Sequence, residues 1–200
     1  MTNDTSPKPF SVIYADPPWD IQQQGARGAN QHYDLMILER IKAMPIADLA
    51  ADNATLLLWV TNSALPAGLE VMKAWGFEYK TNAVWDKYYI GLGNYFRNNH
   101  EVLLHGVRGK APFKFRGQRS TFMFPRQEHS RKPAEMIALI ERVLPGERYL
   151  ELFARERPNS YADWSVWGNE IDSDISIPGY PVPSDFAHQC DDGSNGEQER

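Results

Sequence analysis

The sequence is poor in cysteine and in long apolar runs, and each absence excludes a class of protein. Its single cysteine, Cys190, excludes an internal disulfide and any zinc site built on several cysteines. No uninterrupted apolar run exceeds five residues, as in Leu56 to Val60, whereas a membrane helix needs about 20. The five histidines are scattered without the spacing of metal ligands, so we expect no metal cofactor.

The length of 200 residues fits one domain of ordinary size. Residues 1–9 are polar and lack the apolar region of a signal peptide, which predicts a flexible N-terminus and a cytoplasmic protein. Residues 10–172 are expected to form the folded domain. Residues 173–200 are rich in Pro, Gly, Asp and Ser and are predicted to be an acidic, flexible tail.

The net charge of −5 conceals an uneven distribution along the chain. Residues 97–132 carry nine Lys or Arg and two acids, whereas residues 170–200 carry eight acids and one base. A strongly basic segment in an acidic protein is a candidate phosphate-binding surface, although a solvated loop without a ligand has the same composition. Nucleic acid is therefore one candidate partner.

Strand-like and helix-like segments alternate along the chain. Short apolar and β-branched runs predict strands at residues 11–15, 55–60, 79–85, 101–107, 148–154 and 164–167. Helical spacing predicts helices at 34–50, broken at Pro45, and at 64–75 and 133–144. This alternation predicts an α/β fold with a mostly parallel sheet and helices on both faces. Ligands of such sheets bind beyond the carboxyl ends of the strands.

The motif Asp16-Pro17-Pro18-Trp19 directly follows the first predicted strand. Two prolines remove two N–H donors, so the carbonyls of Asp16 and Pro17 are expected to face outward without local partners. A carboxylate, bare carbonyls and an indole suit a planar ligand with an exocyclic NH₂ group, such as adenine. A proline-rich turn without a ligand is the alternative. Trp19 could stack on a base or pack against the sheet.

The segment Tyr14-Ala15-Asp16-Pro17-Pro18-Trp19 resembles the signature of the DPPW-type adenine-N6 methyltransferases. That family includes the catalytic subunit of the mRNA N6-adenosine methyltransferase and many bacterial and phage DNA adenine methyltransferases. Further matches follow in order, at Leu58 to Thr61, Trp75 to Phe77, His129 to Pro133, Glu151 to Arg155 and Trp167 to Glu170. The compact chain looks most like the small phage and prophage members.

The resemblance implies a Rossmann-like fold that uses S-adenosylmethionine, with the catalytic loop early in the chain and the cofactor strand late. It assigns catalysis to the motif residues Asp16, Pro17, Pro18 and Trp19. It also implies a cofactor site formed by Asp16, Lys132, Glu151, Phe153, Arg155, Asn169 and Glu170. The strand at Glu151 departs from many other methyltransferases because no glycine-rich turn follows it, and the altered spacing leaves the roles of Arg157 and Asn159 open.

Candidate substrate-binding residues lie in two further parts of the chain. Tyr33 follows the catalytic motif, where the family has a tyrosine near the substrate. Arg97, Lys114, Arg116 and Arg119 belong to the basic segment, in which phenylalanines are interleaved with cations as in nucleic-acid clamps. Packing of those phenylalanines is the alternative. Residues 91–100 are predicted to be an active-site loop.

The leading functional prediction is methylation of the N6 amine of adenine in DNA. Methylation of RNA is the alternative within the same chemistry. A catalytically silent member that only binds nucleic acid is the alternative from another class, although the intact motif favours activity.

Overall fold

The computed structural model describes residues 9–19, 36–91, 95–110, 113–125 and 131–191, and it shows one seven-stranded sheet covered by helices. The strands are β1 (Phe10–Ala15), β2 (Ala50–Val60), β3 (Glu78–Asp86), β4 (His100–Arg108), β5 (Thr121–Met123), β6 (Tyr149–Leu152) and β7 (Trp164–Trp167). The helices are α1 (Leu38–Lys42), α2 (Ile46–Leu49), α3 (Leu65–Ala74), α4 (Glu135–Val143) and α5 (Pro183–Asp191). A short 3₁₀ turn at Asn62–Ala64 precedes α3.

The strand order in the sheet is β5-β3-β4-β2-β1-β6-β7. Four neighbouring pairs are parallel, and β4 alone runs antiparallel to its neighbours β2 and β3. The predicted α/β fold with a mostly parallel sheet is therefore confirmed. β4 is reversed because residues 87–99 join it to β3 at one edge of the sheet, without the crossover that a parallel neighbour needs.

Apolar side chains cover both faces of the sheet. In β2, Leu56, Leu58 and Val60 pack into the cluster on one face, with residues of α1 and α3. Leu57 and Trp59 alternate with them and pack against α4 on the other face. The continuous apolar run in β2 thus reflects burial on both sides. No helix among the described residues has the length and apolarity that crossing a bilayer requires.

Several predicted elements differ from those in the structure. β6 was predicted to continue to Ala154 but ends at Leu152, because Phe153 turns the chain with a φ of 63°. In the part of the helical region predicted up to residue 50 that the structure describes, from Met36 onward, the helices are the short α1 and α2, and Ala50 already belongs to β2. The basic segment contains the unpredicted edge strand β5.

The predicted flexible tail is wrong for the residues directly after Asp172. Ile177 and Val182 are 3% and 1% exposed and belong to the core cluster that contains α1 and α3. The Asp174 carboxylate binds the Arg157 guanidinium at 2.8 Å, and α5 follows. The few apolar residues of this segment are enough to dock it, because they are buried within the core cluster. Residues 1–8 and 192–200 lie outside the described residues.

Candidate active site

The sheet register brings three chain segments together at one edge. Ala15 of β1 pairs with Leu152 of β6, which pairs with Trp167 of β7. These strands are parallel, so the residues that follow them emerge side by side at what we call the carboxyl edge. Those residues are Asp16, Phe153 and Gly168. Three of the sequence-predicted site segments therefore meet at one place.

A chain of four charged side chains crosses the carboxyl edge. The Asp16 carboxylate accepts a hydrogen bond from Lys132 Nζ at 2.6 Å. The same ammonium lies 3.2 Å from Glu101 Oε2, and Glu101 also binds Lys87. The side chains of Lys132 and Glu101 are largely buried, and Lys132 lies over the ring of Trp59 at 5.4 Å. Buried charges require such pairing, and this arrangement fixes the position of Asp16.

Burial and ion pairing shift the pKa values of these four charged side chains in opposite directions. Desolvation raises the pKa of Asp16, although the ammonium of Lys132 partly offsets it. For Glu101, desolvation is outweighed by Lys132 and Lys87, which together lower its pKa. Desolvation also works against the charged form of Lys132, but Asp16 and Glu101 raise its pKa overall. The group therefore favours an ionised Lys132 between two carboxylates.

Glu151 differs from these acids because no cation offsets its burial. It lies on β6 opposite Tyr14, one residue before the strand ends at Leu152. Desolvation, with the negative charges of Asp16 and Glu156, raises the pKa of Glu151 to about 8. A carboxyl group with this pKa is mostly protonated at neutral pH. It can ionise when a cationic ligand arrives beside it.

The motif at residues 16–19 is held more tightly than its sequence indicated. The carbonyl of Pro17 was expected to lack a local partner, but it accepts the Trp19 backbone N–H at 2.9 Å. That prediction is wrong because the chain turns back at Trp19, although a carbonyl oxygen retains a second lone pair. The Pro18 carbonyl accepts the N–H of Met36, which joins the chain on both sides of residues 20–35.

Trp19 packs against the protein. Its indole N–H donates to the Trp59 carbonyl at 3.1 Å, and its ring contacts the core cluster around β2. Of the two roles left open by the sequence, packing is the one that the structure shows.

The ends of β6 and β7 approach each other closely. A Cβ atom at Gly168 would lie 2.1 Å from the carbonyl oxygen of Ala154, so only glycine fits there. Beside this contact, Arg155 Nε lies 3.0 Å from Glu170 Oε1, and Asn169 is exposed. The Trp167 indole N–H is buried without a hydrogen-bond partner among the described residues. These donors and acids suit a ligand that carries both charges and hydroxyl groups.

Arg157, whose role the sequence left open, belongs to the packing of the C-terminal segment. Both of its terminal nitrogens bind Asp174, and one also donates to the carbonyl of Asp172. Asn159 is an exposed loop residue.

The basic segment divides between the two edges of the sheet. Lys114 binds the Pro145 carbonyl and Glu147, which precede β6 and therefore lie at the opposite, amino edge. Arg116 and Arg119 are exposed between Lys114 and β5, and neither pairs with an acid among the described residues. Arg97 lies at the carboxyl edge, where its side chain donates to Gly91. The structure thus brings Arg97, but not Lys114, to the side of the sheet that holds Asp16.

The phenylalanines of this segment mainly pack. Phe122 is buried, and Phe113 and Phe124 contact the same core cluster as α4. Phe115 is partly exposed beside the guanidinium of Arg142. The packing alternative therefore holds for three of the four rings. Tyr33, the remaining predicted substrate residue, lies outside the described residues.

Sequence reasoning missed Glu101 and Lys87. Glu101 had been counted only as an acid inside a basic segment. The available signal was its place directly before the apolar run of β4, but its meaning depends on strand direction. Because β4 is antiparallel, the start of this strand and not its end lies at the carboxyl edge. A charged residue there faces the site.

Comparisons with known proteins agree with this geometry. The MT-A70 family model matches residues 10–170. Type II methyltransferase M.MunI of Mycoplasma sp is 32% identical over 194 residues, covering 86% of this chain and 82% of that protein. The human N(6)-adenosine-methyltransferase catalytic subunit METTL3 is 30% identical over 193 residues, covering 92% of this chain and 32% of that protein.

As with the human protein, the match to a plant relative covers only part of that relative. The N(6)-adenosine-methyltransferase MT-A70-like protein of Arabidopsis thaliana is 31% identical over 170 residues, covering 81% of this chain but 24% of that protein. This chain thus spans a third or less of the plant and human proteins and most of the Mycoplasma enzyme. The family resemblance carried by the DPPW motif is confirmed, and we conclude that this chain belongs to the MT-A70 family of methyltransferases.

Proposed function

We propose that this protein methylates the N6 amine of adenine in DNA, with S-adenosylmethionine as the methyl donor. The observation that carries the proposal is the Asp16 carboxylate, held by Lys132 at the point where β1, β6 and β7 end. The match over most of the length of M.MunI supports a DNA substrate. The RNA-directed relatives are matched over a much smaller part of their length.

Asp16 supplies the acceptor that an adenine amine needs. The N6 lone pair is delocalised into the ring, so the amine is a weak nucleophile. Acceptors on its two hydrogens favour the pyramidal form in which the lone pair is available, and we assign these acceptors to the Asp16 carboxylate and the Pro17 carbonyl. A carboxylate at this position also stabilises the positive charge that develops on nitrogen during transfer.

Lys132 keeps Asp16 in the ionised form, in which both carboxylate oxygens can accept hydrogen bonds. Desolvation raises the pKa of Asp16, and a protonated carboxyl group would lose acceptor capacity. The ammonium at 2.6 Å counters this effect and aims one carboxylate oxygen. Glu101 holds the ammonium from its other side. Lys132 and Glu101 thus act on the amine through Asp16.

The residues beside Asp16 fit the methyl donor, which brings a sulfonium methyl group to the site when it is bound. We assign Lys132 to its carboxylate, and Asn169 and Glu170 to its ribose hydroxyls. Glu151, Phe153 and Arg155 border the space beyond the end of β6. The acidic members of this set suit a ligand with two positive centres, and Glu151 can lose its proton to balance them.

Transfer of tritium from labelled S-adenosylmethionine to matched DNA and RNA oligonucleotides tests the proposal. Wild-type protein is expected to label N6-methyladenine in DNA. Asp16→Ala should lower the rate about 10²-fold or more, because one charge-stabilising acceptor is lost. Asp48→Ala, at an exposed carboxylate of α2, is the matched control and should keep the wild-type rate. An Asp16 variant above a tenth of that rate contradicts the assigned role, and label in RNA alone contradicts the substrate.

A further inference from the structure

The connection between β3 and β4 exposes an unusual number of large apolar side chains. Tyr95 and Phe96 are 98% and 90% exposed, and Tyr88, Tyr89 and Ile90 are more than half exposed. Neither the core nor the site described above uses any of these side chains. A cluster of exposed aromatics on one connection marks a binding surface more often than scattered surface residues do. We call the two arms of this connection, residues 87–91 and 95–99, the aromatic hairpin.

Backbone hydrogen bonds hold the two arms of this hairpin together. Lys87 N–H donates to the Asn99 carbonyl at 2.8 Å, and Gly91 N–H donates to the Asn98 carbonyl at 2.7 Å. A Cβ at Gly91 would lie 2.4 Å from the same Asn98 oxygen, so glycine permits the close approach of the arms. Asn62, after β2, donates to the Asn98 side chain at 3.0 Å. The aromatic rings therefore project from an anchored support.

The hairpin borders Asp16 and the charged side chains linked to it, on the side away from the ends of β6 and β7. Lys87, at its base, binds Glu101, which binds Lys132 beside Asp16. A polar groove lined by Asn62, Asn98 and Glu101 lies between the hairpin and the end of β2. Since the proposed donor site occupies the β6–β7 side, the target base must approach from the side of this groove.

We infer that the aromatic hairpin binds the nucleic-acid strand next to the target adenine by stacking Tyr95 and Phe96 on unpaired bases. This inference rests on the proposed function, because it names how the substrate of the same site is held. Extrusion of a target base leaves its neighbours unstacked, and aromatic side chains can replace the lost contacts.

The charge of the hairpin favours a polyanion over a second copy of this chain. Its charged residues, Lys87 and Arg97, are both basic. Lys87 is already bound to Glu101, which leaves Arg97 as the hairpin cation without an acidic partner among the described residues. A two-fold contact between copies would bring two such hairpins face to face, and like charges oppose that contact. Arg97 can instead pair with a phosphate backbone.

Fluorescence anisotropy with a labelled 12-nucleotide DNA that contains one adenine tests the inference. The double variant Tyr95→Ala/Phe96→Ala should raise the dissociation constant at least about fivefold, since one base–aromatic stack contributes that much or more. Tyr161→Ala is the matched control, because Tyr161 is fully exposed before β7, at the amino edge. It should bind like wild type, and so should Tyr95→Phe/Phe96→Tyr.

Two further measurements separate the possible outcomes. A 2-aminopurine placed beside the adenine should be quenched by wild-type protein but not by the double alanine variant, while S-adenosylmethionine affinity stays unchanged in calorimetry. An unchanged DNA dissociation constant in the double alanine variant overturns the inference. It is also overturned if wild-type protein sediments as a dimer and the double alanine variant sediments as a monomer. Because binding is measured without turnover, a wild-type protein that binds DNA but transfers no methyl group contradicts the proposed function and not the stacking.

Discussion

At the scale of single residues, the site depends on how Lys132 and Glu101 set the charge of Asp16. Asp16 stands at the end of a buried strand, where desolvation opposes ionisation. Its carboxylate is retained because the neighbouring ammonium is itself held by a second carboxylate. The result is a neutral group of four charges, from Asp16 to Lys87, within a largely buried edge.

Replacing Lys132 by methionine should move the pH dependence of the reaction. Without the ammonium, the pKa of Asp16 rises further, since desolvation is no longer offset. The acid limb of kcat at saturating S-adenosylmethionine should therefore shift to higher pH. Lys110→Met, at an exposed lysine after β4, should leave the profile unchanged. An acid limb that stays in place in the Lys132 variant would show that Lys132 does not act through Asp16.

Glu151 should make the ligand-free protein less stable as pH rises. Its folded pKa of about 8 lies above the ordinary value of 4.5, so the folded state holds a proton that the unfolded chain has lost. Stability from this group is thus lost between about pH 4.5 and 8. The free energy of unfolding in urea should therefore fall more steeply with pH in wild type than in Glu151→Gln. Between pH 6 and pH 9, the difference between the two proteins should change by up to about 3 kcal/mol in favour of the variant.

The control for this change is Glu135→Gln, at an exposed position in the first turn of α4. It should show the pH dependence of wild type. Parallel curves for wild type and Glu151→Gln would mean that Glu151 ionises normally in the folded protein.

At the scale of elements, the site depends on the close contact between the ends of β6 and β7. Gly168→Ala would place a methyl group against the Ala154 backbone and force these ends apart. We expect S-adenosylmethionine affinity to fall about tenfold or more, because correct placement of the ligand depends on this edge. Gly117→Ala, whose new methyl group would meet only the movable ring of Phe115, is the control. Calorimetry that gives equal affinities for wild type and Gly168→Ala would contradict the assignment.

The sequence allowed prediction of elements whose signal is local. The buried run of β2 and the helical spacing in α4 predicted those elements, although β2 begins at Ala50, before its predicted start at residue 55. The motif at residues 16–19 predicted a site at the edge where β1, β6 and β7 end, which is where the proposed site lies. The direction of β4 was not predictable in this way, because an antiparallel and a parallel strand share one local pattern. Glu101 was therefore missed, since its role follows from that direction.

Contacts made across the chain were also beyond local reasoning. The partner of Lys132 lies 116 positions away, and no spacing pattern links such residues. The same holds for Lys114, whose contacts with Pro145 and Glu147 place it at the amino edge.

At the scale of the whole molecule, the C-terminal segment completes the domain. Ile177 is 3% exposed in the core cluster. Truncation to alanine should lower the free energy of unfolding by about 2–4 kcal/mol, as for other buried isoleucines. Ile37→Ala, at a side chain that is 60% exposed, is the control and should change it by less than about 0.5 kcal/mol. Urea unfolding measures both changes. Equal unfolding curves for Ile177→Ala and wild type would show that the segment after residue 172 does not contribute to the stability of the domain.

The reversal of β4 has a consequence for how such proteins can diversify. Both arms of the aromatic hairpin leave the sheet at the carboxyl edge, so residues can be inserted between Gly91 and Tyr95 without moving a strand. Doubling a flexible loop costs only about 0.6 kcal/mol in closure entropy. The reach over a bound strand, and with it the number of bases contacted, can therefore change by insertion or exchange of this one hairpin while Asp16 and Lys132 keep their positions.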